Sequence, residues 1–215
     1  MAAGKRVAII DYGMGNLGSV KKGLERVGIK AIVTSEREDV EKADGVILPG
    51  VGAFEDAINN LRIMGLTEAV REAVASKKPF LGICLGMQLL FDESEENGLH
   101  KGLGLIKGRV VRLPSKVKIP HMGWNQVKLV KKSPLFVGVP DESYFYFVHS
   151  YYCFPEEDVA IGKTFYGLDF VCAVQKENIL ATQFHPEKSS KLGLAVLLNF
   201  ARLVEGQAND NISSH

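Results

Sequence analysis

Lys78-Pro79-Phe80-Leu81-Gly82-Ile83-Cys84-Leu85-Gly86-Met87-Gln88 holds an apolar run, a G-x-C-x-G turn and the opening of a helical pattern. A strand starting at Pro79 delivers Cys84 to a sharp turn, where Gly82 and Gly86 let two backbone segments pass closely and the side chain stands clear, the geometry of a nucleophile elbow. Leu85 opens the following helix, so Cys84 faces free backbone N–H groups and a positive dipole end, both of which favour thiolate. The same N–H groups can hold an oxyanion. A buried cysteine whose glycines serve only packing has the same spacing. A partner base decides between the two.

Ile179 to Phe184 is an apolar strand that ends in His185-Pro186-Glu187-Lys188. His185 can take the thiol proton, and Glu187 can fix the imidazole tautomer and stabilise imidazolium, as the third member of a triad does. A histidine at a strand end is also an ordinary loop residue; its weight here comes from occurring with the Cys84 elbow.

Together, Gly82-Ile83-Cys84-Leu85-Gly86 and His185-Pro186-Glu187 resemble the signature of the class I glutamine amidotransferases, over nearly the whole chain. The resemblance implies an α/β fold, with a mostly parallel central sheet covered by helices and an antiparallel C-terminal extension. It also implies release of ammonia from glutamine through a cysteinyl thioester on a Cys84-His185-Glu187 triad. Pro49-Gly50-Val51-Gly52, Pro120-His121-Met122-Gly123-Trp124-Asn125 and Phe147-Val148-His149-Ser150-Tyr151 are similar to segments of the histidine-pathway members of that family. Carried over, Val51 and Leu85 supply the oxyanion N–H groups, with the Val51 N–H turned away until a partner engages. Gly50, Gly52, Gln88, His149, Ser150 and Tyr151 border the glutamine, and Asn16, Trp124, Tyr146 and Lys188 face the partner. That partner is a cyclase subunit, a (β/α)8 barrel forming a heterodimer with this chain and using its ammonia to close an imidazole ring in histidine biosynthesis.

With 215 residues, 46% hydrophobic and 24% charged, the chain suits one well-covered domain. We expect that domain over 1–204 and a polar tail over 205–215. Lys+Arg 26 against Asp+Glu 25 leaves +1, which offers no polybasic footprint for nucleic acid or membrane. Cys84, Cys153 and Cys172 form an odd set without metal-ligand spacing, so no metal, no cofactor and a reducing cytoplasmic setting are expected.

Val7–Ile10 reads as a buried parallel strand and Leu17, Val20, Leu24 and Val27 as an amphipathic helix ending at Gly28. Strands follow at Ala31–Thr34 and Gly45–Leu48, with helical covering from Ala57 to Val74, so the first half is doubly wound. After the elbow, Met87, Leu89, Leu90 and Phe91 continue a helix, and Asp92–Lys101 reads as loop. Arg109–Leu113, Trp124–Val130, Tyr144–Val148, Val159–Phe165, Phe170–Val174 and Ile179–Phe184 then read as short strands, the last five as antiparallel additions. On the aromatic strand, Tyr144, Tyr146 and Val148 share one face, and Phe145, Phe147 and His149 the other. Ser189–Val204 reads as a capped closing helix.

Other readings compete. Gly13, Gly15 and Gly18 after a strand and before a helix match a dinucleotide fingerprint, with Glu36 beyond. A glutaminase of anthranilate or guanylate synthesis shares the triad, and a related cysteine hydrolase shares Cys84 and a histidine. His121 and His149 compete with His185 as the base, but neither precedes Pro-Glu.

Overall fold

A computed structural model of the chain describes residues 4–207. The first half runs β1 Arg6–Ile10, α1 Leu17–Arg26, β2 Lys30–Thr34, α2 Arg37–Lys42, β3 Gly45–Leu48, α3 Phe54–Ile63, α4 Leu66–Ala75, β4 Phe80–Ile83 and α5 Leu85–Leu89. It continues with β5 Phe91–Ser94, β6 His100–Lys101, β7 Ile106–Arg112, β8 His121–Leu129, β9 Ser143–His149, β10 Tyr151–Pro155, β11 Ala160–Phe165, β12 Asp169–Lys176, β13 Ile179–Thr182 and α6 Ser190–Val204.

The sheet order is β2-β1-β3-β4-β13-β12-β10-β7-β5-β6, with β11 joining β12 to β8 and β9 beyond β8. From β2 to β13 every pairing is parallel. The inner strands β3 and β4 are buried along their whole length because both faces are covered, whereas the edge strand β2 exposes Lys30 and Val33. Alternation sends Ala8, Ile10, Val46 and Leu48 into a cluster with Val40, Leu61 and Val70, and sends Val7, Ile9, Ile47 and Leu81 into another with Leu24, Leu197 and Phe200. Each fully buried side chain of this size stabilises the fold by about 1.5–3 kcal/mol before entropy is set against it. At the approach of α1 and α6, Gly23 leaves room for Leu197, whose Cδ1 would lie 2.6 Å from a Cβ there.

Four sequence expectations need correction. Ile179–Phe184 is not an antiparallel addition: β13 lies parallel to β4, with Ile83 opposite Thr182, and is antiparallel only to β12. The strand pattern carries no information about direction, since a short apolar run suits either. The helix after the elbow stops at Leu89, and Phe91 begins β5. Asp92–Lys101 is therefore not all loop; Glu93 pairs with Lys101 and Ser94 with His100. Ser189 does not cap α6 with its side chain. Its hydroxyl instead donates to the His185 carbonyl at 2.6 Å and accepts the Tyr146 N–H at 2.9 Å.

The aromatic strand alternates as expected, with Phe145, Phe147 and His149 buried and Tyr144 exposed. No helix among the described residues is long and apolar enough to cross a membrane. Of the expected tail, 208–215 lies outside the described residues.

Candidate active site

Cys84 sits at φ 55°, ψ −110° between β4 and α5, a backbone region that costs a non-glycine residue about 1–3 kcal/mol. The neighbours enforce it. A Cβ on Gly86 would lie 1.7 Å from the Leu48 carbonyl oxygen, and one on Gly82 would lie 3.0 Å from the Gly86 carbonyl oxygen. The Cys84 N–H donates to the Thr182 carbonyl at 2.7 Å, so the elbow is fastened to the end of β13. Since β4 and β13 are parallel neighbours, their C-terminal ends put Cys84 and the Gln183–Glu187 segment at one edge of the sheet.

On that segment, His185 Nδ1 and Glu187 Oε1 are 2.7 Å apart, and each side chain is 2% exposed. The carboxylate accepts the Nδ1 proton, which leaves Nε2 as the working nitrogen. Nε2 has no hydrogen-bond partner among the described residues. Burial works against charge on His185, but the Cys84 thiolate, followed by Glu187, more than compensates and pushes its pKa up to about 10. Cys84 and Glu187 thus both favour the protonated ring of His185. In the thiol form Cys84 Sγ is 3.8 Å from the Val148 carbonyl, to which it donates.

Across the elbow lies Pro49–Gly52. The Tyr12 hydroxyl donates to the Pro49 carbonyl at 2.7 Å, and a Cβ on Gly50 would lie 2.2 Å from that hydroxyl. The Leu85 N–H donates to the Gly50 carbonyl at 3.3 Å. One of the two N–H groups expected to hold an oxyanion is thus already occupied, and by the residue that precedes the other, Val51.

A cavity of about 430 Å³ opens over Cys84 and Leu85. Val51, Gly52, Gln88, Val148, His149, Ser150 and Tyr151 share its lining. Of the residues expected around a ligand, only Gly50 is not in its lining. Glu96 and Pro120 line it as well, which the sequence reading missed; Glu96 belongs to the strand-flanked 92–101 segment taken for loop, and its Oε2 accepts the Phe54 N–H at 2.8 Å. Lys188, expected at the partner face, is in the lining of the same cavity.

A chain of hydrogen bonds runs beneath this lining. Tyr151 presents a carbonyl, which can only accept, to His149 Nδ1 at 2.8 Å and to Gln88 Nε2 at 3.0 Å. His149 Nδ1 therefore carries the proton, and its Nε2 accepts from His121 Nδ1 at 2.9 Å. His121 Nε2 in turn accepts from Asn125 Nδ2 at 3.2 Å. Both imidazoles are neutral. Burial pushes His121 down to about 4 and, with the neighbouring histidines adding to it against the Tyr151 carbonyl, His149 down to about 3. Neither carries the charge that His185 carries.

Trp124 is 52% exposed and meets Tyr146 edge to face at 6.2 Å on the β8–β9 ribbon. Asn16 caps α1 through its Oδ1 and the Ser19 N–H at 3.4 Å. Gly13 and Gly15 adopt φ 83° and 147°, as a tight turn requires, but a Cβ on Gly18 would meet nothing within 4 Å. The third glycine of the fingerprint thus lacks the close packing that gives it meaning in a dinucleotide site.

The model of the family described as glutamine amidotransferase class-I matches residues 8–203. The chain is 54% identical over 204 residues, 94% of its length and 97% of the relative's, to imidazole glycerol phosphate synthase subunit HisH of Moorella thermoacetica. It is 52% identical over 198 residues, 92% of its length and 100% of the relative's, to the protein of the same name from Methanocaldococcus jannaschii. In fold it is similar to PurLQS from Thermotoga maritima, with a TM-score of 0.73 at 16% identity over 95% of this chain and 99% of the other. The elbow and the histidine–glutamate pair thus sit within a match that spans almost the whole sequence, and the chain belongs to the class-I glutamine amidotransferase family.

Proposed function

We propose that this chain is the glutaminase subunit of an imidazole glycerol phosphate synthase, hydrolysing glutamine at Cys84 and passing the ammonia to a cyclase subunit in histidine biosynthesis. The observation that carries the reading is Cys84 on its strained elbow in the lining of a cavity of about 430 Å³, with a buried His185 beside it that Glu187 orients.

The Cys84 thiolate attacks the glutamine δ-carbon, and the carbonyl oxygen becomes an oxyanion. His185 Nε2–H then gives its proton to the departing nitrogen, so ammonia leaves and a γ-glutamyl thioester remains. Neutral His185 next takes a proton from water, whose oxygen attacks the thioester; glutamate leaves and the thiolate–imidazolium pair is restored. Glu187 holds the imidazole throughout. Gln88 and the 149–151 segment orient the substrate from one side and Gly50 and Gly52 from the other, while the Glu96 carboxylate is placed to accept from its α-ammonium.

The oxyanion donors are the N–H groups of Leu85 and Val51. With the Gly50 carbonyl on the Leu85 N–H at 3.3 Å, the hole is closed. Rotating the Gly50–Val51 peptide plane withdraws that carbonyl and swings in the Val51 N–H, so one motion supplies both donors. An oxyanion donor is worth on the order of a hundredfold in rate, so the closed loop is an effective brake. The cyclase subunit, a (β/α)8 barrel in a heterodimer with this chain, releases the brake by docking around Asn16, Trp124, Tyr146 and Lys188. Three free, buried cysteines agree with a reducing cytoplasm.

The test is glutamate release from glutamine by the chain alone and by the chain with the cyclase subunit and its nucleotide ligand, with Cys84→Ala as control. Slow release that rises strongly in the complex and vanishes in Cys84→Ala supports the reading. No glutamate under any of these conditions overturns it.

A further inference from the structure

Gln183 immediately precedes the Phe-His-Pro-Glu run and is completely buried at the end of β13. Its Nε2 is 3.6 Å from Cys84 Sγ, and its Oε1 accepts from Gln88 Nε2 at 3.1 Å. Nothing in the mechanism above uses it.

The direction of this amide is fixed. The Tyr151 carbonyl accepts at 3.0 Å from Gln88, so the Gln88 side chain must present its NH2 group on that side. That same NH2 group faces Gln183 and requires an acceptor there, which turns the Gln183 Oε1 toward Gln88. The remaining Gln183 NH2 group then has to point at sulfur. A backbone carbonyl that cannot change character thus sets the polarity of two side chains in series.

Sulfur has two different partners for its two states. As a thiol it donates to the Val148 carbonyl. As a thiolate it has nothing to give that carbonyl, and an acceptor beside an anion is repulsive. The Gln183 N–H, a donor held at the same atom, is the complementary group, and a hydrogen bond to an ion is about twice as strong as one between neutral groups.

We propose that Gln183 is a catalytic residue whose Nε2–H binds the Cys84 thiolate, with Gln88 and the Tyr151 carbonyl positioning its amide. Gln183 and His185 thus hold the sulfur together, one by a neutral donor and one by charge. This assignment rests on Cys84 being the nucleophile of the glutaminase reaction, but its test does not require turnover.

The experiment measures the rate of iodoacetamide modification of Cys84 against pH, with the site assigned by mass spectrometry, in the full chain and in Gln183→Met and Gln183→Glu. We expect Gln183→Met to react about tenfold more slowly at neutral pH, with the thiolate limb of the profile displaced upward, as loss of a hydrogen bond to an ion predicts. Gln183→Glu, which as a carboxylate sets an acceptor and a like charge against the thiolate, should be slower still. A readout on the unaltered chain covers variants that fail to fold: the Gln183 side-chain amide proton should move downfield in NMR as Cys84 ionises, and the response should vanish once Cys84 is alkylated. Unchanged alkylation profiles in folded variants, or an amide proton indifferent to Cys84, would overturn the assignment. Failure of the glutaminase reading would show separately, as absent glutamate release by the unsubstituted complex.

Discussion

Two buried histidine sites lie near Cys84, one charged and one neutral. His185, with a carboxylate at 2.7 Å and the thiolate beyond, is held protonated up to about 10. His149 and His121, with a carbonyl, an amide and each other for partners, are held neutral down to about 3 and about 4. Burial lowers the pKa of all three; what differs is whether an anion is present to outweigh it. The comparison shows that a histidine near a nucleophile is made an acid or a spacer by its second neighbour.

The largest expected effect on this contrast comes from removing the charged member. His185→Gln should lower glutamate release by the complex on the order of a thousandfold or more, because proton transfer to the leaving nitrogen has no substitute. His149→Gln, which replaces a neutral ring, should retain far more activity; equal losses in the two variants would erase the distinction. Next in size is Glu187→Gln, for which we expect on the order of a hundredfold loss, from a wrongly oriented tautomer and a less stable imidazolium. Its signature is a fall in the His185 pKa measured by 15N NMR. Cys84→Ala should produce a larger fall, since the thiolate is the stronger of the two causes.

Stability should record the same opposition. For His185, whose folded pKa is raised, the contribution is full below the unfolded value near 6.5 and is lost as pH rises toward about 10. For His121 and His149, whose folded values are lowered to about 4 and about 3, the unfolded chain binds the extra proton. Stability should therefore decline as pH falls below about 6.5, by about 1.4 kcal/mol per pH unit for each ring. Urea denaturation between pH 7 and 5 measures this, and His149→Phe should flatten the slope. The smallest effect belongs to the ribbon that flanks the neutral pair. Trp124→Ala removes a half-exposed ring, so unfolding free energy should change by less than about 0.5 kcal/mol, and glutamate release by the free chain should stay level. Only activation by the cyclase subunit should drop.

The central strands were legible because both of their faces are buried. Val7–Ile10, Gly45–Leu48 and Phe80–Ile83 are unbroken apolar runs, and a run of that length between polar turns leaves little choice. The elbow was legible because Gly86 is demanded by a backbone oxygen 1.7 Å from where a Cβ would stand, with Gly82 packed tightly, at 3.0 Å, against the same turn. Glu96 and Gln183 were not legible. Glu96 sits in a polar stretch whose short β5–β6 pairing has no periodic signal, and it reaches the cavity only because α3 begins beside it. Gln183 did carry a signal, since in extended chain it shares a side with His185, two residues on; an apolar-strand reading ending at Phe184 passed over it.

By itself, then, the sequence picked out Cys84, His185 and Glu187 as a candidate triad and set the α/β layering, because each is written in local spacing or in the burial period of a single element. Only the tertiary structure decided that Ile179–Thr182 enters the sheet parallel to β4, which is what brings His185 and Gln183 to Cys84 from a hundred positions downstream. It also decided that the Gly50 carbonyl rests on the Leu85 N–H and that His121 and His149 stay neutral. The physical reason is the same in each case. Strand direction, peptide orientation and protonation are fixed by the partner across a non-local contact, and a partner distant in sequence leaves no local pattern to read.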